Sequence, residues 1–220
     1  MIQHELFSGE PNQYEPNQRE SIGPDAVVLR GFALPVVDQL LPAITIIEQQ
    51  APFRHLVTPG GFTMSVALSN CGQLGWTSDR AGYRYSATDP DTGRAWPAMP
   101  TIFLRLAQDA ALAAGFPNFE PDACLINRYA TGSKLSLHQD KDERDYQHPI
   151  VSVSLGVPAT FQFGGLERTD KVARITLQHG DIVVWGGVDR LRYHGVLALK
   201  ANNHPLLGSQ RINFTFRKAG

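Results

Sequence analysis

Residues 134–143 read KLSLHQDKDE and place a histidine, His138, two positions before a carboxylate, Asp140. In extended chain those two positions face the same way. A second histidine, His194, lies in the strand-like segment LRYHGV. Two imidazoles and one carboxylate on one side of a divalent metal leave the other coordination positions open. That suits non-haem Fe(II) oxygenases, where cofactor, oxygen and substrate share the open side. Taken singly the signals are weak. A loop histidine beside a turn aspartate, and a buried hydrogen-bonded histidine, are the ordinary alternatives.

Read as a strand, RINFTFR (211–217) puts Arg211, Asn213, Thr215 and Arg217 on one face and Ile212, Phe214 and Phe216 on the other. Two guanidiniums inside a strand-rich domain are expensive unless they meet anions. A dicarboxylate ligand would supply two, each open to a bidentate grip. A terminal strand with a solvated face is the alternative. ACLINRY (123–129) repeats the pattern, with Leu125, Asn127 and Tyr129 opposite Cys124, Ile126 and Arg128. Asn127 and Tyr129 could add hydrogen bonds to a carboxylate or keto oxygen.

These residues need a frame to hold them. AVVLRGF (26–32) and FTMSVALSN (62–70) read as strands, and PVVDQLLPAITIIEQQ (35–50) reads as a helix disturbed by Pro42. TIFLRLAQDAALAAG (101–115) reads as a helix stopped at Gly115 and Pro117. Residues 71–100 are rich in Gly, Pro, Asp, Ser and Thr yet hold Trp76, Tyr83, Tyr85 and Trp96, the composition of a long binding loop or lid. From residue 123 short strand signals follow one another: ACLINRY, IVSVSLG (150–156), ATFQFGG (159–165), ARITLQ (173–178), DIVVWGG (181–187), LRYHGV (191–196) and RINFTFR. Such a run suggests a sandwich, jelly roll or barrel. Residues 1–24 are polar with little periodicity and read as a flexible N-terminal segment.

The totals constrain less. A length of 220 residues suits one domain, and a net charge of −1 does not advertise nucleic-acid binding. From Arg190 onward, however, Arg190, Arg192, Lys200, Arg211, Arg217 and Lys218 meet no side-chain acid. That permits a phosphate-contacting face or a solvated basic edge. No stretch is long and apolar enough to span a bilayer, and the start lacks the basic and apolar regions of a secretory signal. Cys71 and Cys124 are too few for a disulfide framework and fit a reducing compartment such as the cytoplasm.

Taken together, PDACLINRYATGSKLSLHQDKDE, IVSVSLGVPATFQFGG, HGDIVVWGG, LRYHG and RINFTFR resemble the AlkB family of Fe(II)/2-oxoglutarate-dependent nucleic-acid dealkylases. TPGGFTMSVALSNCGQLGW resembles that family's nucleotide-recognition region. The resemblance implies an α+β, mainly β fold: a double-stranded β-helix (jelly roll) with flanking helices. It implies one domain over residues 25–220, with a nucleotide-recognition lid over 51–100 and a catalytic core over 120–218.

It further implies Fe(II) held by His138, Asp140 and His194. Arg211 would clamp the far carboxylate of 2-oxoglutarate, supported by Tyr129 and Asn213, with Arg217 and Asn127 at the metal-proximal end. O2 is the other co-substrate. The methyl group of 1-methyladenine or 3-methylcytosine would be hydroxylated and leave as formaldehyde, with succinate and CO2 as co-products. These lesions are cationic, so Asp142 would attract them, and Glu143 would assist or orient nearby basic residues. Trp76 would stack on a flipped base opposite His138, and Tyr83 would contact base or phosphate. Arg168 would reach into the substrate site, and Thr58 and Ser136 would contact the nucleic-acid backbone. Arg192 stands where a large apolar residue is expected, and would meet a phosphate or be exposed. The expected partner is alkylated DNA, single-stranded or locally opened, with RNA as a second candidate. No membrane partner is expected, and a monomer is. The competing readings are a 2-oxoglutarate oxygenase of protein or lipid, a hydrolytic zinc site and a non-catalytic jelly-roll binding module.

Overall fold

The structure, a computed structural model, describes residues 18–220. In chain order its strands are β1 (Arg19–Gly23), β2 (Ala26–Leu29), β3 (Ala67–Gly72), β4 (Gly75–Asp79), β5 (Gly82–Ser86), β6 (Ala123–Tyr129), β7 (Leu135–His138), β8 (Ile150–Gly156), β9 (Ala159–Phe163), β10 (Ala173–Leu177), β11 (Ile182–Trp185), β12 (His194–Val196) and β13 (Arg211–Arg217). The helices are α1 (Val37–Gln50) and α2 (Thr101–Ala113). A seven-stranded antiparallel sheet runs β1-β2-β11-β8-β13-β6-β3, a four-stranded sheet runs β10-β9-β12-β7, and β4-β5 form a separate hairpin.

Strand alternation gives the large sheet two apolar jobs. On one face Ile126, Val151, Val153, Phe214 and Phe216 pack with Leu40, Ile44 and Ile47 of α1 and Phe103, Leu106 and Ala110 of α2. Phe103 sits 4.8 Å from the Phe214 ring and 6.0 Å from the Phe216 ring, centroid to centroid. Truncating a buried phenylalanine of this kind costs about 3–5 kcal/mol. On the other face Val28, Tyr129, Ile150, Val183 and Trp185 meet Phe161, Phe163, Ile175 and Val196 of the small sheet. The two sheets are thus the sandwich of a jelly roll, and the helices cover its large sheet. The polar positions of β13 and β6 fall between the sheets, as the alternation predicts.

Four expectations are corrected. Residues 19–23, assigned to a flexible lead-in, form β1 and pair with β2, so the edge of the large sheet begins there; the rest of that segment, residues 1–17, lies outside the described residues. Within the assigned lid, β3 pairs with β6 in the large sheet, and residues 75–86 are a hairpin rather than a loop. Pro42 does not interrupt α1, where it lies on the exposed side. Only His194–Val196 of LRYHGV is strand, because Arg192 and Tyr193 belong to a turn whose amides bond Asp189 and Gly165 carbonyls. Among the described residues no helix is long and apolar enough to cross a membrane.

Candidate metal and cofactor site

The small sheet sets the first two ligands. His194 of β12 and His138 of β7 are cross-strand partners, with ring centroids 4.4 Å apart. Gly195 permits this closeness: a Cβ there would lie 2.7 Å from the Leu135 carbonyl oxygen. Asp140 follows β7, 3.6 Å from His138 Nε2 and 3.7 Å from His194 Nε2. The donor atoms of the three residues all lie within 4.8 Å of one another. His138 Nδ1 lies 2.8 Å from the Ser136 carbonyl oxygen and His194 Nδ1 lies 3.0 Å from that of Arg192. A carbonyl only accepts, so both Nδ1 atoms carry the proton and both Nε2 atoms offer lone pairs.

The charge states also suit a metal. Burial, with the His138 charge next, pulls His194 down to about 4, so its imidazole is neutral at physiological pH. Burial raises the Asp140 carboxyl, but the Arg217 guanidinium and the two histidines outweigh it and hold it well below the usual carboxylate range. Two imidazole nitrogens and one anionic oxygen, clustered and partly reachable, fit Fe(II).

A second cradle lies between the sheets. Arg211 is 1% exposed, and burial lowers its pKa. Its Nη2 donates to Ser154 Oγ at 3.0 Å, while its buried Nε and Nη1 have no hydrogen-bond partner among the described residues. The Tyr129 hydroxyl is buried and faces the Arg211 guanidinium, which favours its ionised form, but among the described residues it makes no hydrogen bond of good geometry; the guanidinium carbon lies 5.0 Å from the Tyr129 ring centroid. Orphaned buried donors around a guanidinium are what a missing carboxylate would satisfy. Asn213 donates to Ser152 Oγ and the Val153 carbonyl, each at 2.8 Å. Asn127 is buried at the register position opposite Asn213. Arg217 donates to Asp140 Oδ2 at 2.6 Å, which ties this cradle to the metal ligands.

The hairpin approaches from outside. Trp76 stacks on Tyr83, centroids 5.5 Å apart, and its indole N–H donates to Asp142 Oδ2 at 2.8 Å. Gly75 lets Trp96 lie beneath the hairpin, since a Cβ there would fall 2.3 Å from Trp96 Cε2. Tyr83 and Asp142, with Tyr85, Arg84 and Arg144, also line a cavity of about 270 Å³. The structure does not gather every expected substrate contact. Thr58 Oγ1 is occupied by the Phe62 amide in a local turn. Arg168 is exposed, 5.8 Å from the Tyr193 ring centroid.

The basic tract is corrected most. Arg190 and Arg211 are buried, Arg217 pairs with Asp140, and Lys218 pairs with Asp122. Arg192, expected at a phosphate or in solvent, pairs with Asp189 and donates to the Gly164 carbonyl at 2.8 Å. It therefore braces the turn before His194. Ser154, Arg190 and Tyr85 were not among the expected site residues. Ser154 was readable, because IVSVSLG alternates its two serines onto the face that Asn213 and Thr215 share. Arg190 and Tyr85 carried no such signal, since both act through Glu143, which is distant in sequence.

Residues 25–217 match the 2OG-Fe(II) oxygenase superfamily. The chain is 61% identical over 206 residues to the Alpha-ketoglutarate-dependent dioxygenase AlkB of Escherichia coli (strain K12), covering 94% of this chain and 95% of that protein. It is 59% identical over 215 residues to the protein of the same name from Salmonella typhimurium, covering 98% and 97%. The Nucleic acid dioxygenase ALKBH1 of Homo sapiens is 36% identical over 125 residues, 56% of this chain and 32% of that protein. The solved structure of OsALKBH1 superposes with a TM-score of 0.79 at 28% identity, covering 91% of this chain and all of that one. The triad, the buried arginine cradle and the sandwich that holds them agree with these matches: the chain belongs to the 2OG-Fe(II) oxygenase superfamily and, within it, to the AlkB family.

Proposed function

We propose that this chain oxidatively dealkylates N-alkylated bases such as 1-methyladenine and 3-methylcytosine. Its substrate is single-stranded or locally opened DNA, with RNA second, and it acts as a cytoplasmic monomer. The observation that carries the reading is the Trp76–Asp142 hydrogen bond of 2.8 Å. It joins a flat aromatic face to a carboxylate in the loop that leaves metal ligand Asp140. A flat cationic base asks for that pair of groups: stacking is worth about 1–3 kcal/mol per base, and the carboxylate answers its charge.

His138, Asp140 and His194 would hold Fe(II), and Arg211 with Tyr129 would receive the far carboxylate of 2-oxoglutarate. Bound there with O2, the iron and 2-oxoglutarate supply the oxidation of the alkyl C–H that ends in formaldehyde, succinate and CO2. The chain's own work is placement. Trp76 and Tyr83 hold the base out of its stack, Asp142 accepts from its exocyclic amine, and Arg217 keeps Asp140 anionic and aimed. The sandwich interior excludes water from the Arg211 end.

The test is mass spectrometry of a single-stranded oligonucleotide with one 1-methyladenine, incubated with protein, Fe(II), ascorbate, 2-oxoglutarate and air. The expected result is loss of one methylene mass, matched by succinate and absent when any component is omitted or when Asp140→Ala replaces the wild type. Steady succinate with an unchanged oligonucleotide would refute the substrate and retain the iron site.

A further inference from the structure

The hairpin touches the segment after Asp140 twice. Trp76 grips Asp142 at the surface, and its cross-strand partner Tyr85 donates its hydroxyl to Glu143 Oε1 at 2.7 Å. The second contact leads inward. Glu143 Oε1 lies 3.3 Å from Arg217 Nε, and Glu143 Oε2 lies 3.1 Å from Arg190 Nη2. Arg217 Nη2 donates to the Asp140 side chain at 2.6 Å, and Arg190 Nη1 donates to the Asp140 backbone carbonyl at 2.8 Å. Asp140 is therefore held at side chain and backbone by two guanidiniums, and one carboxylate, Glu143, positions both.

The side chains of Glu143, Arg190 and Arg217 are 2%, 3% and 8% exposed, so water cannot stand in for a lost partner. Two arginines already neutralise Glu143. The phenol adds direction rather than charge: it occupies an Oε1 site and fixes the carboxylate plane from β5. The exposed Trp76–Asp142 bond can be exchanged for a base. The Tyr85–Glu143 bond is part-buried, with its acceptor inside the protein, and stays.

We infer that Tyr85 is a positioning residue, which transmits the seating of the hairpin through Glu143 and Arg217 to the carboxylate that ligates the metal. The inference rests on the metal and base assignments proposed above. Metal binding and nucleic-acid binding are then coupled, and equally so in both directions.

The experiment measures Co(II) binding to the full chain by its visible ligand-field absorption. It is run with and without a single-stranded oligonucleotide carrying 1-methyladenine, for wild type and Tyr85→Phe, with thermal unfolding of each apo protein. In the wild type the oligonucleotide is expected to tighten Co(II) binding about fivefold or more. Tyr85→Phe is expected to weaken basal Co(II) binding about tenfold, the low end for an outer partner of a ligand. It should also alter the ligand-field spectrum and shrink the oligonucleotide effect to less than about twofold. Unchanged Co(II) affinity overturns the inference. So does weaker binding with the oligonucleotide effect intact, or a lowered melting temperature alone, since each marks a merely structural tyrosine. A wild-type chain that takes up no Co(II) overturns the metal assignment instead.

Discussion

Arg211 and Arg217 begin and end one strand, share its inward face and are both buried, yet they live in opposite circumstances. Arg217 is paired with Asp140 and Glu143, and although burial works against its charge, those acids hold its pKa above the ordinary arginine value. Among the described residues Arg211 donates to a serine hydroxyl and keeps two nitrogens without partners, and burial lowers its pKa. The first arginine is consumed by the protein and serves a metal ligand. The second keeps buried donors free, as the anion-binding role proposed for it above requires. Residue type, burial and strand position are the same at both ends; only the supply of carboxylates differs, and that supply separates scaffold from receptor.

The sharpest way to break the contrast is to remove each cation in turn. Arg217→Met leaves Asp140 without its guanidinium and weakens the hold on Glu143. Uncompensated buried charge of this kind costs about 3–5 kcal/mol, to be read as a lowered urea midpoint of the apo protein. If the midpoint is unchanged, the paired end is not electrostatically tight.

Acid separates the ends next. His194 is held at about 4 by burial and the His138 charge, against 6.5 in unfolded chain. The unfolded state therefore binds more protons between those values, so apo stability is full above about pH 6.5 and falls as pH drops toward 4. The depressed Asp140 carboxyl adds a loss of the same sign at lower pH. His194 contributes on the order of 3 kcal/mol. Urea unfolding of wild type and His194→Gln at pH 7 and 4.5 checks it: the variant should lose less, and equal losses would mean that His194 is not the group responsible.

Arg211→Met predicts the opposite sign from Arg217→Met. Replacing a buried, half-matched cation by an apolar side chain should stabilise the apo protein by about 1–3 kcal/mol. The KM for 2-oxoglutarate should rise about a hundredfold, since a buried charged contact is worth about 2–5 kcal/mol. An apo protein destabilised by this change would show that its donors are matched after all.

This contrast marks how far the sequence could be read. The bounds of β6, β8 and β13 were legible because each strand is buried along nearly its whole length, and in β8 and β13 the polar positions alternate strictly. Spacing and residue type only suggested His138, Asp140 and His194, and the family resemblance joined them into one set, which the fold brings together. The cost of burying a guanidinium pointed to anions for both arginines, but could not say which would find them within the protein. Glu143 reaches Arg217 and Arg190 from distant positions in the chain, and Asp189 takes Arg192, so most of a tract that looked like a basic edge is paired with the protein's own acids, while Lys200 stays exposed. The β4-β5 hairpin hid for a related reason. Its turn, Arg80-Ala81, sits in Gly- and Asp-rich sequence, and its stability comes from packing on Trp96 and bonds to the ligand loop rather than from an apolar stripe of its own.

Ser154→Ala is the smallest and most discriminating change. Its hydroxyl accepts from Arg211 Nη2 at 3.0 Å and lies on the strand beside it. Removing it gives Arg211 a third unmatched donor without altering charge or the metal ligands. A hydrogen bond to a charged group contributes about 1.5–3 kcal/mol at most, and rotation of the guanidinium toward the bound carboxylate recovers part of it. The apo protein should lose about 1 kcal/mol, and the KM for 2-oxoglutarate should rise about two- to fivefold with kcat nearly unchanged, because the serine orients a binding group and touches no reacting atom. A fall in kcat with KM constant would instead place Ser154 on the metal side of the strand and erase the distinction between its two ends.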